Sequence, residues 1–180
     1  LAEKLSSATN SLDFDEQTMF LNTSADTVGI GTNAPASKFD VRGTMQVGVD
    51  DTGYDVKFFG DTASSYLEWD TSAMELELRG PVTTAGKLLL STAELTVVDG
   101  NKLGQIDFQA PAETGSDALL VTASIVAEAD ATFSGTVNST DLVFLTADDG
   151  AATEKLRIDS TGQVTFADGA IDVDIASHDG

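Results

Sequence analysis

The chain contains no cysteine, which excludes disulfides and thiolate metal sites. Its single histidine, His178, has no second histidine or cysteine to complete a zinc site or a nucleophile–base pair. Aromatic residues make up only 7% of the 180 positions, with one tryptophan and two tyrosines, and there are three prolines. Positive charge is scarce: nine Lys and Arg face thirty Asp and Glu, for a formal net charge of −21. That excludes the basic footprint that nucleic acid requires, and it disfavours docking on an anionic membrane surface. No apolar run approaches the length of a membrane span, and no signal-peptide pattern is visible. A phosphate cradle is lacking too: Gly29, Gly31 and Gly48 are sparse and no Lys-Ser/Thr follows them. Those glycines are expected instead where backbones approach closely or adopt special angles.

What is present is alternation. Phe39 and Val41, Met45, Val47 and Val49, Tyr54, Val56 and Phe58, Ile106 and Phe108, Leu142 and Phe144, Leu156 and Ile158, and Ile171, Val173 and Ile175 are apolar at period two. That period marks strands with one wet and one packed face. Turn signals separate them at Asp51-Thr52-Gly53, Asp99-Gly100, Asp148-Asp149-Gly150, Thr161-Gly162 and Asp168-Gly169. The expected fold is all-β, built of short antiparallel hairpins. Residues 1–15 read as a linker or short helix, 16–80 as an N-terminal β repeat region, 81–102 as a connector and 103–180 as a C-terminal β domain. Within the connector, Ser91–Leu95 has the pattern of a short helix capped by Thr92. Asp117–Ala131 is Ala-rich, but Val121, Thr122, Ile125 and Val126 are β-branched and favour a strand. The chain begins at Leu1 and ends Ile175–Gly180 with no capping element, so both ends are expected to be cut from something longer.

One phrase occurs three times: strand, small polar turn, strand. The copies are Met19–Ile30, Leu67–Leu78 and Leu156–Phe166, the last one residue shorter. Their turns open on Asn22, Asp70 and Asp159, each followed by Thr or Ser, side chains that bond their own backbone and stabilise turns. All three are expected to form the same hairpin, and a reused hairpin reads as an extended assembly more than as an enzyme built around one pocket.

Candidate chemistry is thin. The acidic pairs Asp13/Asp15, Asp50/Asp51, Asp148/Asp149 and Asp172/Asp174 do not match a calcium-loop spacing and read as solvated faces, so no metal is expected. Glu68, Glu75 and Glu77 flank Trp69, the kind of grouping a glycosidase cleft uses, but alternation places Glu75 and Glu77 on a wet face. No catalytic residue and no cofactor is expected. Trp69, Tyr54 and Tyr66 are the aromatic candidates for a binding surface. Asn22-Thr23-Ser24 and Asn138-Ser139-Thr140 fit the glycosylation acceptor pattern, which matters only in a eukaryotic secretory setting.

Four phrases carry a resemblance. Val28–Pro35 followed by Lys38–Val41 resembles the VGIGT-x-x-P…L-x-V phrase of phage tail fibres and related surface fibres. Ser91–Gly100 resembles their T-A-A-E-L-N-x-L-D-G repeat, with Thr96 where Asn is usual. Leu156–Val164 is similar to their L-R-I-D-S-x-G-x-V phrase. Val56–Asp61 with Leu67–Asp70 looks like fibre segments of marine tailed phages. The resemblance implies a virion structural protein: a homotrimer of interwoven β-strands (β-prism, β-helix or sandwich-like) on a phage tail or capsid. It implies contact with other virion proteins and with a host surface receptor, and no catalytic residues. The alternatives are a receptor- or carbohydrate-binding fibre tip, a glycan depolymerase and a bacterial surface adhesin.

Overall fold

The structure, a computed structural model, describes residues 11–14, 18–110 and 114–167. The expectations for residues 1–10, for the strand Ile171–Ile175, for the Asp168-Gly169 turn and for His178 lie outside the described residues. The chain divides into two compact units, residues 1–87 and 88–180.

The first unit holds two sheets. One has the order β1 (Ser11–Phe14), β2 (Met19–Asn22), β3 (Thr27–Ile30), β4 (Phe39–Val41), antiparallel except for the parallel β3–β4 pair. β1 falls inside the segment read as a linker or short helix. The other sheet is the antiparallel meander β5 (Val56–Phe59), β6 (Tyr66–Asp70), β7 (Glu75–Arg79). The second unit is a five-stranded antiparallel meander of β8 (Lys102–Gln109), β9 (Val121–Ala129), β10 (Thr140–Thr146), β11 (Thr153–Ile158) and β12 (Val164–Phe166). The fold is all-β, as the alternation predicts, and β9 resolves the Ala-rich stretch as strand.

Two local expectations are corrected. Ser91–Leu95 is not helical; Thr92 Oγ1 accepts the Glu94 N–H at 3.1 Å, and the chain turns there and passes on without a helical turn. A hydroxyl that bonds two residues ahead stabilises a turn as readily as a helix start, and Leu95 is exposed with nothing to pack a helix against. Met45, Val47 and Val49 form no strand either. Gly48 has a φ of +84°, and Val49 only closes a tight turn with Thr52 through reciprocal bonds of 3.0 and 2.9 Å. A positive φ in mid-segment breaks the pleat whatever the side-chain pattern. In the Val28–Thr32 phrase the glycines do what was expected of them. A Cβ on Gly29 would stand 2.2 Å from the Thr32 carbonyl oxygen, and Gly31 has a φ of +72°.

Register shows which side chains share a face. On the β5–β7 sheet, Val56, Trp69 and Leu76 align in one row and Phe58, Leu67 and Leu78 in the next row of the same face. On the five-stranded sheet, Ile106, Ile125, Phe144, Leu156 and Phe166 form one row, and Gly104, Ala127, Leu142, Ile158 and Val164 form another. On the first sheet, Met19, Ile30 and Val41 lie beside Leu21, Val28 and Phe39. These faces carry no charged side chain, and much of them is open: Phe39, Phe58, Trp69, Leu76, Ile106, Phe108, Leu142, Val164 and Phe166 are all exposed.

Among the described residues the buried apolar side chains are Val126, Ala129 and Val143. Val126 and Val143 pair with each other on the polar face of the five-stranded sheet, with Gln105 and Arg157 as their lateral neighbours. The polar side of that sheet is therefore the better sheltered; on the apolar side Leu90 lies against Gly104 and Leu88 lines the same hollow beside Leu142, while Ile106, Phe108, Val164 and Phe166 stay exposed.

Candidate functional site

The three repeat copies form one hairpin. Asn22 Oδ1 accepts the N–H groups of Ser24 and Ala25, both at 3.1 Å, and the Ser24 hydroxyl at 2.8 Å. Asp70 Oδ1 accepts those of Ser72 and Ala73 at 2.8 and 3.0 Å and the Ser72 hydroxyl at 2.7 Å. Asp159 Oδ1 accepts those of Thr161 and Gln163, both at 2.9 Å, and the Thr161 hydroxyl at 2.7 Å. Four-residue turns end on Asp26 and Met74 at φ +53° and +55°; the shorter third copy ends on Gly162 at +88°.

These bonds hold the Asp70 and Asp159 carboxyls below the ordinary value of 3.8, chiefly through the Ala73 N–H and the Thr161 hydroxyl respectively. Asp55 and Asp107 are lowered in the same way, by Thr71 and by the Ser124 hydroxyl. A carboxyl lowered in the folded state contributes stability that is fully present above its unfolded value and is lost as pH falls through its folded value. Urea midpoints should therefore fall as pH drops below 3.8, and Asp159→Ala should shrink that acid-dependent part of the curve. A parent whose midpoint is unchanged from pH 5 to about 2 would contradict this.

The aromatic candidates do not form one cluster. Trp69 stands on the apolar face of the β5–β7 sheet and Tyr66 on the opposite face, while Tyr54 precedes β5 and is exposed. The glutamates that flank Trp69 in sequence are also across the sheet from it, because Glu68, Glu75 and Glu77 point to the Tyr66 side. A cleft with Trp69 beside paired carboxylates is not formed. On the polar face Glu68 and Glu77 lie directly opposite each other, a repulsive pair unless cations intervene. Lys57 supplies one, 2.7 Å from Glu68 and 4.0 Å above the Tyr66 ring. Its hydrogen bond to Glu68 raises the Lys57 pKa. Tyr66 donates its O–H to Glu77 at 2.8 Å and accepts from Arg79 at 2.9 Å.

A second polar centre lies on the five-stranded sheet, and the sequence reading missed it. Arg157 binds Glu154 in a two-pronged fashion at 3.0 and 2.7 Å, Asp141 at 2.5 Å and Glu128 at 3.0 Å. Asp141 is 3% exposed and also accepts the Ser160 N–H at 2.9 Å. The Arg157 pKa is raised, most by Glu154, whose own is lowered by Arg157. One cation satisfying three carboxylates is a structural clamp, closed on itself and without an open position for a substrate. Among the described residues no group of three or more His, Asp or Glu is arranged to hold a metal ion. No family model matches the chain, and no curated protein matches it.

Proposed function

We propose that the chain is a structural segment of a phage-type virion fibre and that it works as a homotrimer. The observation that carries this reading is the partly uncovered apolar face on each of the three sheets, beside a buried apolar set of Val126, Ala129 and Val143 among the described residues. Covering such faces is strongly favourable. Each large apolar side chain contributes roughly 1.5–3 kcal/mol at full burial. Phe39, Phe58, Trp69, Leu76, Ile106, Phe108, Leu142, Val164 and Phe166 are already about half covered, so burying the rest contributes an amount of the same order as the roughly 4–15 kcal/mol that association costs. The four fibre-like phrases point to a virion. The repeated hairpin and the acidic wet surface suit an exposed, crowded appendage that must not clump.

The depolymerase alternative loses its motivation, since Trp69 and its flanking glutamates stand on opposite faces. Immunogold labelling of phage particles from the source of this sequence, with antibody raised to the recombinant chain, tests the reading. Label on tail or capsid appendages is the expected result. Label confined to bacterial cell surfaces would replace the reading with the adhesin alternative.

A further inference from the structure

Among the described residues Arg79 and Lys87 make no direct ion pair with a carboxylate, although Glu77 acts on Arg79 through space. Arg79, at the end of β7, donates to the Tyr66 hydroxyl and otherwise only overlies that ring, 5.5 Å from its centre. Lys87 makes no hydrogen bond or ion pair among the described residues. Both line one open cleft of about 370 Å³ together with Phe58, Phe59, Ser65 and Tyr66. The cleft is built by local geometry. The segment after β7 folds back so closely that a Cβ on Gly86 would stand 1.9 Å from the Leu78 carbonyl oxygen. Glu77 holds the Tyr66 hydroxyl, which in turn holds the guanidinium. Phe59 is 76% exposed at the same cleft, with Lys57 Nζ 5.7 Å from its ring centre and the Tyr66 ring edge-on at 6.4 Å.

We propose that this cleft binds an acidic pyranose, a saccharide residue bearing one carboxylate. A guanidinium with free N–H groups matches a carboxylate's two oxygens, and the ammonium adds a mobile point charge. An open aromatic ring beside them offers a face for the C–H side of a sugar ring. A polyphosphate fits poorly, because it needs many cations and the chain carries −21. Glu77, engaged by the Tyr66 hydroxyl, is the nearest opposing charge, and a ligand with a single carboxylate meets less of its repulsion than a polyanion does. A carboxylate of a second copy would satisfy the cations but leave the aromatic wall unused, so the sugar is the better match. Phe58 belongs both to this cleft and to the apolar face proposed as an interface, so the cleft is tested in the assembled chain.

The test is an NMR titration of the full isotope-labelled chain with trigalacturonate, with maltotriose and sodium acetate as the neutral-sugar and bare-anion probes. Saturable shifts centred on Phe59, Tyr66, Arg79 and Lys87 are expected with trigalacturonate, with much weaker responses to the other two. Lys87→Gln should weaken binding about tenfold and Arg79→Gln at least as much. If Arg79→Gln disturbs the sheet, Lys87→Gln decides alone, since that side chain supports nothing else. Equal binding of maltotriose or acetate, no saturable shift, or affinity unchanged in Lys87→Gln would overturn the proposal. So would Lys87→Gln dissociating an assembly without altering sugar binding, because the cations would then serve a second copy.

Discussion

Arg157→Met is expected to destabilise the second unit by about 3 kcal/mol, the low end for removing one partner of a buried pair, because Asp141 is buried while Glu128 and Glu154 keep contact with water. The substitution preserves most of the side chain's length and apolar stem, so lost packing is not the main cause. What is lost is, among the described residues, the cation bound to Asp141, whose side chain is 4% exposed, and to Glu128 and Glu154. Asp141 would keep the Ser160 N–H alone. A domain is stable by only about 5–15 kcal/mol, so this change consumes a large share. Arg157→Lys should fall between the two, because an ammonium cannot bridge three carboxylates with a planar fork. The discriminating control is Arg157→Met with Asp141→Asn. If the cost is an uncompensated buried charge, the double variant recovers part of the loss; a double variant whose loss is the sum of the two singles would contradict the account. Urea unfolding at neutral pH measures all four.

Leu142→Glu is expected to abolish association while leaving the five-stranded sheet folded. Leu142 lies mid-face, in the row with Ala127 and Ile158, and is 39% exposed in the single chain. Leu142 lines a hollow with Leu88 and Leu90 but keeps an open side, so a carboxylate there still reaches water in a monomer and costs folding less than it costs assembly. In an assembly that covers this face it would be buried without a partner, at several kcal/mol per copy. Repeated in each copy around a symmetric contact, that cost exceeds what the neighbouring apolar side chains contribute. Thr136→Glu, in the exposed loop between β9 and β10, adds the same charge away from the face and should leave assembly intact. Trp69→Glu should act like Leu142→Glu in the first unit, because Trp69 shares its face with Val56 and Leu76. Equal assembly of the parent and Leu142→Glu would show that this face is not an interface.

The sequence discloses most of the fold because strand patterning is local. Leu142 with Phe144 and Leu156 with Ile158 each announce a strand, and each is one. The hairpins were legible for the same reason, since Asn22, Asp70 and Asp159 bond atoms within four residues of themselves. Patterning failed at Met45–Val49, where a φ of +84° at Gly48 overrides the side-chain period. It also failed at Ser91–Leu95, where a cap-like threonine serves a turn. The site was less legible because it depends on pairing across strands. Alternation places Glu75 and Glu77 on the wet face and the register agrees, but that Trp69 stands on the opposite face follows only when the same alternation is applied to Glu68 and Tyr66. Arg157 reaches carboxylates up to 29 positions away. Arg79 and Lys87 meet only because the chain folds back after β7, and the scarcity of cations was the one available signal.

The central claim is that this chain completes its core with other copies of itself. Sedimentation velocity on the recombinant segment at neutral pH tests that most directly. The account predicts a single species of three times the 18.7 kDa chain mass for the parent, and loss of that mass in Leu142→Glu and Trp69→Glu. A parent that sediments as a stable species of one chain mass would contradict it.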